Sequence, residues 1–336
     1  MRVKRQYPAI DIAKYISALL VVAIHVYPFE PISPLFHTFF TQTVCRLAVP
    51  FFFAASAFFF FRHKENLEDI AALKEYELRV LRLYLVWTVI YLPYTIWNYA
   101  EAGFTFASVI SWLRDFLLNG SYYHLWFLPA MMLGMALLWF GQRRFGLKKT
   151  LLAALGLYLI GYLINVYAVV WENMPVMSVL YGYFTKTLVT ARDGIFFAPL
   201  FLGIGLLAAR GVRVRETAGA IGFVVSFICL ILEVTAYYLT GILYDTASMF
   251  LSLIPCTFFL FSWLLTLRIK YSPQYKILRT DSTVIYTSQL LFIRLFTLML
   301  PGANLVVYFL TLACCQGLAA LIIRYEDRFP VLKLLV

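Results

Sequence analysis

Apolar residues run along this chain in long blocks, and polar residues gather in the short intervals between them. The blocks cover approximately 9–29, 38–61, 83–100, 124–142, 150–171, 193–209, 216–240, 247–267, 282–299 and 304–323. Each is close to the ~20 residues that a helix needs to cross ~30 Å of hydrocarbon. The period-two alternation of a membrane β-barrel is absent, and the blocks are too long for strands. The pattern predicts an all-α, polytopic integral membrane protein with about ten transmembrane helices, organised as a single transmembrane domain over residues 1–336.

The intervals orient it. Arg2, Lys4 and Arg5 precede the first block, and Arg62, Lys64, Lys74, Arg79 and Arg82 follow the second. Arg143, Arg144, Lys148 and Lys149 follow the fourth, and Arg210, Arg213 and Arg215 the sixth. Arg268, Lys270, Lys276 and Arg279 follow the eighth, and Arg324, Arg328 and Lys333 the tenth. The opposite intervals hold Arg114, Lys186 and Arg192, while Lys14, Arg46 and Arg294 fall inside blocks. Positive charge collects on the cytoplasmic side, so an even number of spans and two cytoplasmic termini are expected. The outer intervals 101–123 and 172–192 are long and aromatic. The first has helical spacing of its apolar residues and predicts a helix lying in the outer interface or folding over a cavity. The inner interval 62–82 reads as an extension of the second or third helix.

Composition narrows the class further. The chain is 62% hydrophobic and 13% charged over 336 residues, more apolar surface than a soluble domain can hide. The net charge of +11 would suggest nucleic acid in a soluble protein; here the charges sit where topology requires them, and no nucleic-acid partner is expected. The five cysteines lie within apolar blocks, with no CxxC pair and no Cys/His cluster, so neither a metal nor a redox pair is expected. The first block has no small-residue cleavage site after it and should remain as an anchor in the bilayer.

Candidate chemistry begins in the first block. Charged groups at mid-bilayer cost roughly 2.5–3.5 kcal/mol on insertion scales and point to function. Lys14 and His25 are eleven positions apart, which returns to nearly the same azimuth at about 100° per residue and places them ~16 Å apart along the axis. Asp11 sits one turn before Lys14 on the same side. The face thus carries an acid, a base and an imidazole, and a neutral imidazole is a natural general base. Arg46, in CRLAVPFFFAAS, needs an anion, carbonyls or water around it. Arg79 and Arg82, three apart, share a helix face and suit a phosphate or pyrophosphate. Asp193, Glu233, Gln289 and Arg294 are further polar residues within blocks.

Lys14 and His25, the RLAVPFFFAAS run, RVLR at Arg79–Arg82 and HLWFLPA at His124–Ala130 together resemble integral-membrane acyltransferase family 3. DGIFFAPLFLGIG at Asp193–Gly205 looks most like the branch that forms the membrane half of vancomycin-resistance-type serine racemases. Those carry a soluble racemase domain after the membrane part; with this chain ending at Val336, racemase chemistry is not expected. The resemblance implies a bacterial, multi-pass plasma-membrane O-acyltransferase that moves an acyl group, usually acetyl, from cytoplasmic acyl-CoA to an extracytoplasmic hydroxyl acceptor such as a cell-envelope glycan. It implies His25 as catalytic base, Lys14 as its basic partner, and Arg79 and Arg82 as the acyl-CoA arginines. Arg46, His124 and Trp126 would line the site, with Asp11, Asp193, Glu233 and Gln289 as further lining. The sequence departs from the family where Ser56-Ala57 replaces Ser-Gly, where Asp193 replaces Asn, and where Gln289 replaces a histidine. Acetyl-CoA or another acyl-CoA is the expected donor. Ser17 and Ser56 are the candidates for a covalent acyl-enzyme, which the chemistry does not require.

A different class is also open: a transporter of a small polar solute such as serine. Against it, no matched pair of Gly- or Pro-interrupted spans is visible in the two halves. A catalytically inactive sensor, suggested by Gln289, is the third reading.

Overall fold

A computed structural model describes residues 6–63, 67–243 and 247–336. Arg2, Lys4, Arg5 and Lys64, part of the charge argument above, lie outside the described residues. Among the described residues the regular structure is helical, with no strand. The helices are α1 (Pro8–Val26), α2 (Pro34–Gln42), α3 (Ala48–Phe61), α4 (Ile70–Ala102), α5 (Phe106–Leu118), α6 (Phe127–Phe145) and α7 (Leu147–Val166). After them come α8 (Ala168–Glu172), α9 (Pro175–Thr187), α10 (Ala198–Ala209), α11 (Glu216–Leu239), α12 (Leu253–Thr266), α13 (Gln274–Met299) and α14 (Asn304–Tyr325). Among the described residues, eight helical segments are long and apolar enough to cross a membrane, α2 to α3 counting as one. The chain is an all-α polytopic membrane protein.

The predicted blocks and the helices agree with two instructive exceptions. The expected span 193–209 contains a helix only over Ala198–Ala209, and 247–267 only over Leu253–Thr266. Each short helix is led into by irregular, largely buried backbone. Hydropathy reads such segments as spans because their side chains are apolar. It cannot see that their amides and carbonyls are satisfied from elsewhere, which is the condition for irregular backbone at membrane depth. Asn165 Oδ1 accepts from the Ser248 and Met249 amides at 2.9 and 3.2 Å. The Tyr158 hydroxyl donates to the Phe250 carbonyl at 2.8 Å, and Glu233 Oε1 accepts from the Leu251 amide at 2.8 Å. Before α10, Asp193 Oδ1 accepts from the Ile195 and Phe196 amides at 2.8 and 2.7 Å.

Two compact units make up the chain. The first is Met1–Ala55, Arg213–Leu232 and Ser252–Val336. Pro8 sits at the first position of α1, where a missing N–H costs nothing. Ala18, Val22 and Val26 of α1 recur at a four-residue interval and pack on Ile285 and Ile293 of α13 and on Val307 and Cys315 of α14. At the far end of this stripe Tyr27 closes α1 in the left-handed conformation, at φ 56°. Its carbonyl accepts from the Asn304 side chain at 2.9 Å.

The second unit is Ser56–Val212 and Glu233–Leu251. Here α6 packs against α4, α7 and α10, around fully buried Trp87, Tyr91, Trp139, Tyr158 and Phe201. At ~1.5 Å per residue, α4 is about 50 Å long. Its added N-terminal turns begin at Ile70, within the inner interval 62–82, and Asp69 caps them by accepting from the Ala71 amide at 2.7 Å. Helices also form in both outer intervals, as α5 and as α8 with α9.

Candidate functional site

In the first unit, the acid leaves the expected row on α1. At about 100° per residue, Asp11 lies within about 20° of Ala18 and Val22, while Lys14 and His25 lie about 40–60° to one side of it. Asp11 therefore meets α13. Its carboxylate is 1% exposed and takes both arms of Arg279, at 2.7 and 2.9 Å. In the sequence Arg279 reads as flanking charge, and nothing in its spacing to Asp11 signals the pair. Lys14 and His25 are half-buried, with His25 in the last turn of α1.

Arg46 lies in a short helical turn, Cys45–Leu47, between α2 and α3. It is 9% exposed, and its Nε donates to Gln42 Oε1 at 2.8 Å. A buried guanidinium fixed at one nitrogen keeps its other donors in a set direction. Gln289 on α13 is 0% exposed. Its amide donates to the Tyr286 carbonyl at 3.0 Å, and its Oε1 is buried with no partner among the described residues.

In the second unit, Arg79 and Arg82 are exposed on α4, with Arg79 over the Tyr76 ring at 5.5 Å. The Tyr76 hydroxyl bonds Ser56 at 2.7 Å, so that serine is engaged. His124 lies in the turn Tyr123–Trp126, 1% exposed and edge-on to Tyr91 at 5.0 Å between ring centroids. Trp126 stacks under the Arg192 guanidinium at 4.8 Å. Asp193 and Glu233 hold backbone, as described above.

Trp126 and Arg192 also line a cavity of about 630 Å³ in this unit. Its walls include Tyr99 of α4, Trp112 and Asp115 of α5, Asn165 of α7, and Tyr181 and Phe184 of α9. The α5 wall is amphipathic. Trp112, Asp115 and Asn119 face inward at helical spacing, while Phe106, Ile110, Leu113 and Leu117 are exposed on the opposite stripe. That stripe suits the lipid interface. Tyr84 ties the far end of α5 to α4, donating to the Phe116 carbonyl at 2.6 Å and accepting from the Ser121 amide at 2.7 Å. Arg114 ties α5 to α9, pairing with Asp115 at 2.9 Å and donating to the Lys186 carbonyl at 2.6 Å. Burial raises the Tyr181 phenol above its ordinary range, with Glu172 adding to it, so Tyr181 presents a neutral hydroxyl.

The wall turns at Gly120, where φ is +91° and a Cβ would lie 2.4 Å from the Trp126 amide nitrogen. Gly120→Ala should destabilise the second unit by about 1–3 kcal/mol. Thermal unfolding in detergent checks it; an unchanged midpoint contradicts this account of the turn.

Apolar helices long enough to span a bilayer, with polar side chains and a cavity among them, define the class as a polytopic membrane protein. Residues 7–324 match the acyltransferase domain family, acyltransferase family 3, and the chain belongs to it. An amino-acid racemase of Enterococcus faecalis is 27% identical over 347 residues, covering 98% of this chain and 48% of the racemase. A second amino-acid racemase of that species is 33% identical over 207 residues, or 61% and 28% of the two chains. A serine/alanine racemase of Enterococcus gallinarum is 33% identical over 267 residues, or 76% and 37%. The chain thus spans about half the length of these relatives, or less. No solved structure matches it.

Proposed function

We propose that the protein transfers an acyl group, acetyl in the first instance, from cytoplasmic acyl-CoA to a hydroxyl of an extracytoplasmic acceptor such as a cell-envelope glycan, in a bacterial plasma membrane. The observation that carries this reading is membership of the acyltransferase family over residues 7–324, with Lys14 and His25 kept off the packed stripe of α1. His25 removes the proton of the acceptor hydroxyl as its oxygen attacks the thioester carbonyl. The tetrahedral intermediate collapses with loss of CoA as its thiolate, which takes the proton from the imidazolium. Arg46, fixed by Gln42, supplies positive charge for the developing oxyanion. Arg79 and Arg82 hold the phosphates of the donor, with Lys14 as a further cation. His124 and Trp126 serve to shape the acceptor side. No metal enters the chemistry.

Arg79→Gln combined with Arg82→Gln should raise the KM for acyl-CoA about ten-fold or more and leave kcat within about two-fold, because the lost contacts bind ground and transition states alike. Steady-state kinetics over a range of acetyl-CoA checks this. An unchanged KM removes the arginines from the donor site.

Two observations favour a second reading, transport of a small polar solute such as serine. The relatives are named for amino-acid and serine/alanine racemisation. The short helices α10 and α12 are also preceded by irregular backbone, and transporters use interrupted helices at their substrate sites. Yet these segments hydrogen-bond to Asp193, Asn165, Tyr158 and Glu233, which uses their polar groups for folding. Uptake of labelled serine by purified protein in liposomes lacking acyl-CoA separates the two readings, and only transport predicts it.

A further inference from the structure

The cavity in the second unit has unmet hydrogen-bonding capacity. Trp112 Nε1, Asn119 Oδ1 and Arg192 Nε are buried polar atoms with no partner among the described residues, and all three belong to residues that line it. Buried polar atoms are nearly always satisfied, by protein, by water or by a ligand. Three around one cavity make two donors and one acceptor on a wall that also carries tyrosine, tryptophan and phenylalanine rings, asparagine amides and the Asp115 carboxylate.

The charges are unequal in their pairing. Asp115 is bonded by Arg114 at 2.9 Å and lies 3.5 Å from the Asn119 amide nitrogen. Arg192 has the Trp126 face at 4.8 Å and no carboxylate among the described residues. The lining therefore offers an anion a guanidinium, while its one carboxylate is already neutralised. A free amino acid would need that carboxylate for its ammonium group. It would also leave most of about 630 Å³ empty, a volume in the usual range for a ligand of several fused or linked rings.

We propose that this cavity binds an acidic saccharide, with sugar rings against the aromatic wall, hydroxyls on Trp112 and Asn119, and the carboxylate on Arg192. The two outer intervals that the charge pattern places outside the membrane supply most of the wall, so the ligand comes from the extracytoplasmic side. That the bound saccharide is the acyl acceptor rests on the acyl-transfer reading; that it binds does not.

Binding is therefore measured without acyl-CoA, by isothermal titration of the protein in lipid nanodiscs. The probes are a glucuronic acid–N-acetylglucosamine disaccharide, neutral N,N′-diacetylchitobiose and free serine. The acidic disaccharide should bind about ten-fold or more tightly than the neutral one, the difference a charge-assisted hydrogen bond supplies. Arg192→Gln should abolish that preference without weakening the neutral sugar, and Arg192→Lys should keep part of it. Trp112→Phe, which keeps the ring and removes the N–H, should weaken both sugars. Equal affinity for the two disaccharides, an unaltered preference in Arg192→Gln, or serine binding in place of both sugars overturns the proposal. CoA release from acetyl-CoA, assayed on the same preparation, reports on the catalytic reading separately: sugar binding without CoA release leaves this site standing and removes the acceptor role.

Discussion

His25→Ala should lower acyl transfer about 10²–10⁴-fold while the protein still inserts and folds. The residue is half-buried in the last turn of α1, and the core stripe of that helix is Ala18, Val22 and Val26, away from it. Removing the imidazole therefore leaves the packing on α13 and α14 in place and takes away the proton acceptor. A hydroxyl is a poor nucleophile until its proton moves, so the loss falls on kcat, with the KM for acyl-CoA little changed. Turnover of acetyl-CoA at matched protein levels checks it, with the thermal midpoint as control for folding. Turnover within a few-fold of the unmodified protein would remove His25 from the reaction.

The largest stability effect is expected at the opposite end of α1. Asp11 is 1% exposed and bonded at both oxygens by Arg279, whose side chain is 39% exposed. Arg279→Ala leaves a carboxylate buried against α13 with its partner gone. Breaking such a pair costs about 3–5 kcal/mol when both groups are buried, and the water that reaches Arg279 puts this one near the lower bound. Asp11→Ala should cost less, since the guanidinium left behind can turn to water. The double replacement should therefore be less damaging than the two single effects added together. Urea or thermal unfolding of the three variants tests this, and strictly additive effects would show that the pair does not act as a unit.

The contrast at α1 shows what a sequence can and cannot tell. The run 9–29 is legible because an apolar block of that length has few alternatives, and Lys14 and His25 stand out against it. Asp11 was legible as a residue out of place, but its partner lies 268 positions away, and nothing local to Arg279 distinguishes it from its basic neighbours. The same limit governs α10 and α12. Their lead-in segments are apolar, and what makes irregular backbone tolerable is the local Asp193 before α10 and the distant Asn165, Tyr158 and Glu233 before α12. Arg79 and Arg82 were readable from a spacing of three on one helix. The cavity wall was only half readable. The spacing in 101–123 announced the α5 helix, but its ties to α4 and α9 run from Tyr84 and Arg114 to the Phe116 and Lys186 carbonyls and the Ser121 amide, which carry no side-chain signature.

The central claim is that an acyl group passes from CoA to a sugar hydroxyl within this one chain. It is tested most directly by placing purified protein in liposomes with isotope-labelled acetyl-CoA and an oligosaccharide, then analysing the sugar by mass spectrometry. The account predicts labelled acetyl ester on the sugar with an equal amount of released CoA, both lost in His25→Ala. Unlabelled sugar from the unmodified protein, or equal labelling by the variant, would contradict it.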